Sequence, residues 1–173
     1  MVLPGLSLTE WAVLALLAEA PVHPFAISRH LGPGGDVGRI LTVRRPLVYR
    51  ALERLVASGL AVPDRVEPGQ AGPRRTVHRV TPAGAEAVQR WLLTPVEHVR
   101  DVRLELLLKV DLLRRSGRSP APLVAAQREA LSPALGVLIA GDDPTDVVAV
   151  WRRHTAQATA AFLDELAATS ESV

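Results

Sequence analysis

Residues 60–81 constrain the fold more than any other stretch of this 173-residue chain. Two short runs containing several Val and Thr residues, 60–66 and 76–81, flank a segment rich in Gly and Pro at 68–75. This pattern predicts a β-hairpin with a long tip. The rest of the chain has the apolar spacing that is typical of helices, so the sequence predicts a mainly α protein with one small β-hairpin.

Helices are predicted on both sides of the hairpin. Ser7 and Glu10 have the spacing of a capping box, which predicts that a first helix begins there and covers about 8–19. Further helices are predicted at 25–31, from about 44–46 to 58, and from 82 onward. The Gly-rich segment 32–38 is a loop, because no strand precedes it and no Gly-Lys-Ser or Gly-Lys-Thr follows to make a phosphate cradle. Three helices followed by a hairpin form the pattern of a winged helix-turn-helix.

Residues 94–173 contain neither a β pattern nor a turn-rich linker of their own. Helices are predicted at 99–115, from 119 to about 140, and after 146. The first of these has apolar residues on nearly all sides, which is typical of a helix that several neighbours bury. We therefore expect a winged helix-turn-helix domain at 1–93 and an all-helical dimerisation domain at 94–173, since one short helical domain would expose too much Leu and Val without a second chain.

Positive charge concentrates in one segment. The isoelectric point near 9.9 is a poor guide, because the net charge is only +2 and nearly all cations are Arg. Between Arg39 and Arg79, however, nine basic residues stand against three acidic ones. Such a segment is either an electrostatic footprint for DNA or a set of solvated Arg-rich loops.

Arginines stand at the two places where a winged helix meets DNA. Arg binds guanine O6 and N7 bidentately or clamps phosphate, and a wing tip reaches the neighbouring backbone or minor groove. Six residues near the amino end of the third helix and at the hairpin tip are the predicted contacts with double-stranded DNA: Arg44, Arg45, Tyr49, Arg50, Arg74 and Arg75. Tyr49 either directs its hydroxyl to a phosphate or packs partly under the wing. Arg54 is expected to pair with Glu53 or Glu10 instead.

The same residues resemble the PadR-like family of transcriptional regulators. The resemblance rests on 8–17, 48–55 with 58–60, 72–75 and 77–81 with Gly84, and it spans about 6–93. His78 stands where the family usually has Tyr, and both 32–38 and Arg44-Arg45 depart from the usual lead-in to the helix. The long tail is similar to the subgroup with an extended carboxy-terminal domain. The resemblance implies a homodimeric repressor that the tail helices dimerise and that a small-molecule effector sometimes releases.

Three residues are candidates for an effector pocket between the two domains: Trp91, Trp151 and His154. The alternative is that the tryptophans anchor the core and that His154 forms hydrogen bonds at an interface. No Cys is present, and no two of the five His have metal-ligand spacing, so no metal or other cofactor is expected. The sequence contains neither a nucleophile elbow nor a phosphate-binding loop, so no enzyme activity is expected. Without an uninterrupted apolar run of membrane-spanning length, a cytoplasmic location and no membrane association are expected.

The sequence therefore predicts a homodimeric regulator that binds a pseudo-palindromic operator. Its two recognition helices would enter successive major grooves and lie about 34–36 Å apart. The alternative is a protein-interaction module that has the winged-helix shape without binding DNA. The two differ in whether joint replacement of the arginines at the helix end and wing tip abolishes function.

Overall fold

The computed structural model describes residues 5–68, 74–141 and 145–170. The first half contains α1 (Leu8–Glu19), α2 (Pro24–His30), α3 (Arg45–Ala57), β1 (Ala61–Glu67), β2 (Arg75–Val80) and α4 (Pro82–Leu93). A 3₁₀ turn (Val99–Asp101), a π-helical turn (Val102–Leu106), α5 (Leu107–Arg115), α6 (Ala121–Ala140) and α7 (Val147–Ser170) follow. The predicted mainly α architecture with one hairpin is confirmed. Residues 69–73 of the predicted hairpin tip lie outside the described residues.

The chain divides into two compact units, Met1–Leu92 and Leu93–Val173. In the first unit α1 is buried almost all round, from Glu10 to Leu17. The predicted capping box starts this helix: Ser7 N donates to Glu10 Oε2 at 2.7 Å, and Glu10 N donates to Ser7 Oγ at 3.3 Å. Trp11 in α1 stacks on Trp91 in α4 with ring centroids 5.0 Å apart, which ties the two ends of the unit into one core.

The helix α3 ends in a Schellman turn that leads directly into the hairpin. Gly59 has a φ of +72°, and the N–H of Leu60 donates to Leu55 O at 2.9 Å. The strands β1 and β2 pair antiparallel from Ala61 opposite Val80 to Glu67 opposite Arg75, with a register shift between Pro63 and Arg65. Such a bulge suits a proline, which has no N–H to give to the ladder.

On its other edge β2 pairs with the segment before α2. Val22 N donates to His78 O at 2.9 Å, and His78 N donates to Val22 O at 3.0 Å. The hairpin of β1 and β2 is the wing of the winged helix-turn-helix. It is therefore fixed both to the end of α3, through Leu60, and to the start of α2. These connections determine where the wing arginines lie relative to α3.

In the second unit α6 packs along α7, and Arg128 pairs with Asp164 at 2.6 Å. Gln127 is fully buried and holds the chain before α5: its Oε1 accepts from Val96 N at 2.7 Å and its Nε2 donates to Val96 O at 2.9 Å. The helix α6 is long and apolar enough to cross a membrane. Core helices of soluble proteins can have the same length and composition, so this is weak evidence for a membrane span.

The segment predicted as a helix at 99–115 is helical throughout, but its geometry changes from 3₁₀ to π to α along the way. Apolar spacing predicts a helix without fixing its pitch. The change of pitch coincides with a buried ammonium: Lys109 Nζ lies 2.7 Å from Glu105 Oε1 in the π-helical turn and donates to Thr94 O at 2.8 Å.

Candidate DNA interface

The amino end of α3 presents its cations to solvent. Arg44 is the N-cap residue, Arg45 is the first residue of the helix, and Pro46 suits the first turn because its missing N–H would have no helical partner there. The apolar residues Val48 and Leu52 turn the opposite face of the helix into the core. Four side chains near this end are exposed or half-buried as the sequence predicts: Arg44, Arg45, Tyr49 and Arg50.

The wing brings two further arginines next to this helix end. Arg74 directly precedes β2, Arg75 begins it, and both are exposed. With Arg45 and Tyr49 they line one open cleft of about 790 Å³ between α2, α3 and β2. The structure thus brings together four of the six predicted DNA contacts.

Arg50 lies on a different part of the surface. It borders a smaller pocket of about 190 Å³ together with Ser7, Thr9 and Glu10 near the start of α1. Arg44 borders neither of these two pockets. Four of the six predicted contacts therefore share the cleft at the wing, Arg50 occupies a second position along α3, and Arg44 lies at the N-cap outside both pockets.

An aromatic residue that the sequence analysis missed, Phe25, also lines the cleft. The guanidinium of Arg45 is 4.7 Å from the ring centroid of Phe25 and 5.6 Å from that of Tyr49. The guanidinium of Arg75 is 5.9 Å from the same Phe25 ring. Arg45 Nη2 also donates to Tyr49 Oη at 3.4 Å. The signal that could have found Phe25 is an aromatic residue in the first turn of a short helix, where packing demands are small.

The arginines between Arg44 and Arg79 fall into two groups. Arg54 pairs with Glu10 at 3.3 Å, which is one of its two predicted partners, and Arg65 and Arg79 pair with Asp64 at 2.7 and 3.3 Å. By contrast, within the described ranges no carboxylate lies within 4.0 Å of any of the five candidate arginines: Arg44, Arg45, Arg50, Arg74 and Arg75. Guanidinium groups without carboxylate partners are what a polyanion requires.

Two pKa values shift in the elements that hold this face. Burial raises the pKa of Glu10, but hydrogen bonds from Ser7 and Arg54 outweigh burial, so that the pKa is lowered and the carboxylate stays charged. Burial lowers the pKa of His78 in β2, and the backbone of Thr76 only partly opposes this change. The wing strand therefore carries a neutral imidazole near pH 7, and its positive charge comes from arginine.

The predicted effector residues occupy different environments. Trp91 is buried in the core of the first unit, against Trp11. In the second unit Trp151 is 71% exposed and borders a pocket of about 400 Å³ with Leu138 and Arg100. His154, on the same helix, is exposed. An effector pocket formed by these three residues stays a prediction. Among the described residues no cluster of three or more His, Asp or Glu could hold a metal ion.

The model of the transcriptional regulator PadR-like family matches residues 13–90, which run from α1 through the wing into α4. The chain therefore contains a PadR-like domain. The predicted resemblance to this family is thus confirmed over residues 13–90, and so is the predicted winged helix-turn-helix fold. The PadR-like domain includes every candidate DNA contact, and the family is one of regulators rather than of enzymes.

Two solved structures of Bacillus subtilis PadR are similar to this chain. One is a complex with operator DNA: it is 16% identical, 91% of this chain and 97% of that chain are covered, and the TM-score is 0.48. The other is a complex with p-coumaric acid: it is 15% identical, 95% of this chain and 99% of that chain are covered, and the TM-score is 0.46. A comparison with curated proteins finds no match.

Proposed function

We propose that this chain is a homodimeric, sequence-specific DNA-binding repressor of the PadR-like kind. The observation that carries the proposal is the set of five arginines without a carboxylate partner at the amino end of α3 and at the wing. In a winged helix these two elements approach the major groove and the adjacent backbone. Repression follows from occupation of promoter DNA.

Each element has its own part in this proposal. Arg50, in the second turn of α3, would contact base edges in the major groove, where Arg reads guanine bidentately, whereas Arg45 in the first turn lines the cleft with the wing arginines. Arg44, at the N-cap, is placed for a phosphate. Arg74 and Arg75 belong to the wing and reach the adjacent phosphates or the minor groove.

The second unit is proposed to dimerise. Five exposed apolar side chains of the second unit belong to the end of α6 and the first turns of α7: Val137, Ile139, Val147, Val148 and Trp151. Exposed apolar side chains in such number favour an interaction site, and a second copy of the chain is the partner that a symmetric operator requires. Residues 1–93 would then bind DNA and 94–173 would hold two DNA-binding domains together on a pseudo-palindromic operator.

Release by a small-molecule effector is the regulatory part of the proposal. One of the two solved Bacillus subtilis PadR structures holds p-coumaric acid, and the pocket beside Trp151 in the second unit offers an aromatic wall and the cation of Arg100. The effector residues proposed are those of the sequence prediction, Trp91, Trp151 and His154. A cytoplasmic location is part of the same proposal.

Fluorescence anisotropy on labelled DNA from the protein's own promoter region tests DNA binding, with a scrambled duplex as control. We expect the protein to prefer the promoter strongly. The slope of log affinity against log salt is negative, and each phosphate contact that is lost makes it less steep by about 0.9. Arg75→Ala should make this slope less steep. Arg65→Ala is the matched control, because the same charge is removed from the wing but Asp64 and Glu67 already neutralise it.

Three outcomes would contradict the proposal. Equal affinity for promoter and scrambled DNA would exclude sequence-specific binding, and no binding at low salt would favour the protein-interaction module. A stable monomer at micromolar concentration in sedimentation would exclude the dimer.

A further inference from the structure

The ring of Phe25 contacts cations from two different elements. It lies in the first turn of α2 and is 36% exposed. Arg45 comes from the amino end of α3 and Arg75 from the start of β2, yet their guanidinium groups lie 4.7 and 5.9 Å from this one ring centroid. The three residues are far apart in sequence, and only the folded domain brings them together.

A guanidinium held over an aromatic ring by cation–π attraction keeps its N–H donors available, because the ring attracts the charge of the group and is not a hydrogen-bond acceptor of the kind that a carboxylate is. One donor is in use: Arg45 Nη2 donates to Tyr49 Oη at 3.4 Å. The contact also restricts a flexible side chain, so less rotamer freedom remains to be lost when an anion binds. Phe25 can therefore orient both arginines without occupying the atoms that would bind a ligand.

Within the described part of the chain, no carboxylate lies within 4.0 Å of either guanidinium. Two like charges that converge on one ring repel each other unless an anion lies between them. A phosphodiester meets this need, because Arg binds phosphate through paired N–H donors. The chemistry of the cluster thus matches the DNA backbone at the point where α3 and the wing meet.

We propose that Phe25 is a positioning residue that holds Arg45 and Arg75 together as one phosphate-binding pair. The inference rests on the proposed DNA binding and adds a residue outside both DNA-contacting elements. It also assigns the backbone, rather than a base edge, as the partner of this pair.

Substitutions of the ring test the proposal by anisotropy on a duplex of arbitrary sequence at low salt, because phosphate contacts do not depend on sequence. Phe25→Leu should weaken binding about three- to tenfold, as the loss of two exposed cation–π contacts implies, and leave the salt slope unchanged because both charges remain. Phe25→Tyr should restore affinity to within about twofold of the native protein, since its ring has the same kind of negative face. Phe162→Leu is the matched control, the same substitution in α7 of the second unit.

A double-mutant cycle separates positioning from packing. In the Arg75→Ala background, Phe25→Leu should lose about half of its effect, because one of the two contacts is already gone. A second measurement needs no DNA: the δ-methylene protons of Arg45 and Arg75 should show upfield ring-current shifts in NMR spectra of the native protein. Phe25→Leu should remove the contribution of this ring, and Phe162→Leu should not.

Native affinity of Phe25→Leu would overturn the inference, as would equal losses in Phe25→Leu and Phe25→Tyr, or full additivity with Arg75→Ala. These failures are distinct from failure of the proposed function. If the promoter is preferred but Phe25→Leu is neutral, the inference falls and the regulator stands. If Phe25→Leu weakens binding to any duplex but no promoter preference exists, the phosphate-binding pair stands and the sequence-specific regulator falls.

Discussion

Gly84 is the position where one added methyl group should do most harm to the first unit. It lies in the first turn of α4, where its N–H donates to Thr81 Oγ1 at 3.1 Å. A Cβ placed there would overlap the carbonyl oxygen of Leu60 and would approach Val80 Cγ2 to 2.9 Å. The Leu60 oxygen is backbone, and it accepts from Thr81 N at 3.0 Å, so it cannot move without breaking the junction between the wing and α4.

The cost can be worked out from two opposing effects. Ala is favoured over Gly inside a helix by about 0.5–1 kcal/mol. Overpacking a well-packed site costs about 1–3 kcal/mol, and the upper part of this range applies where the obstacle is backbone rather than a side-chain end. Gly84→Ala should therefore lower the free energy of unfolding by about 1–2.5 kcal/mol, net of the helical preference.

Gly136→Ala is the matched control. Gly136 lies inside α6, is exposed, and has open space around the position of an added Cβ. Only the helical preference acts there, so this variant should gain about 0.5–1 kcal/mol. Urea denaturation at two protein concentrations separates folding from association. If Gly84→Ala proves as stable as the native protein while Gly136→Ala gains stability, the close approach of α4 to Leu60 is refuted.

Three further predictions concern single side chains. Glu10→Gln should lower the free energy of unfolding by about 1–2 kcal/mol at neutral pH, because the Glu10 carboxylate accepts hydrogen bonds from Ser7 and Arg54. The pKa of Glu10 is lowered from 4.5, so the difference between the variant and the native protein in urea denaturation should vanish as the pH falls through this lowered pKa. The pKa of His78 is lowered in the folded protein, so as the pH falls the imidazole is protonated in the unfolded chain before it is protonated in the folded one. The free energy of unfolding should therefore fall as the pH drops below 6.5, and His78→Gln should remove this part of the pH dependence in thermal unfolding. If the proposed dimer covers Trp151, iodide quenching of tryptophan fluorescence should rise on dilution; constant quenching at all concentrations would contradict an interface at this patch.

Local signals in the sequence predicted local structure well. The capping box of Ser7 and Glu10 and the Gly/Pro punctuation around the hairpin act within a few residues, so their consequences can be deduced without knowing the fold. The pitch of the helix at 99–115 could not be deduced in this way. It accompanies a buried Lys109 whose partners include Thr94 O, fifteen residues earlier, and apolar spacing contains no record of that contact.

The candidate site shows the same division between local and distant information. The order of elements placed Arg45 on a recognition helix and Arg75 on a wing, but nothing in either segment indicates that both contact Phe25 in a third. Such convergence depends on the bridge between Val22 and His78, which sets the distance from the wing to α2. A residue that acts through two others is therefore visible only once the domain is folded.

The number of basic and acidic residues in a segment does not show where its positive charge remains, because some of the charges are paired with each other. The nine basic and three acidic residues between Arg39 and Arg79 fit a DNA footprint and solvated loops equally well. In the structure the acidic residues do not spread evenly: Asp64 serves both Arg65 and Arg79, and Glu10 from outside the segment holds Arg54. Neutralisation thus falls on Arg54, Arg65 and Arg79 rather than on the proposed DNA contacts, and among the described residues the unpaired charge remains at the end of α3 and at the wing. Bringing a carboxylate to that face, as Thr76→Glu beside Arg75 would do, should weaken binding to DNA of any sequence and make its salt slope less steep.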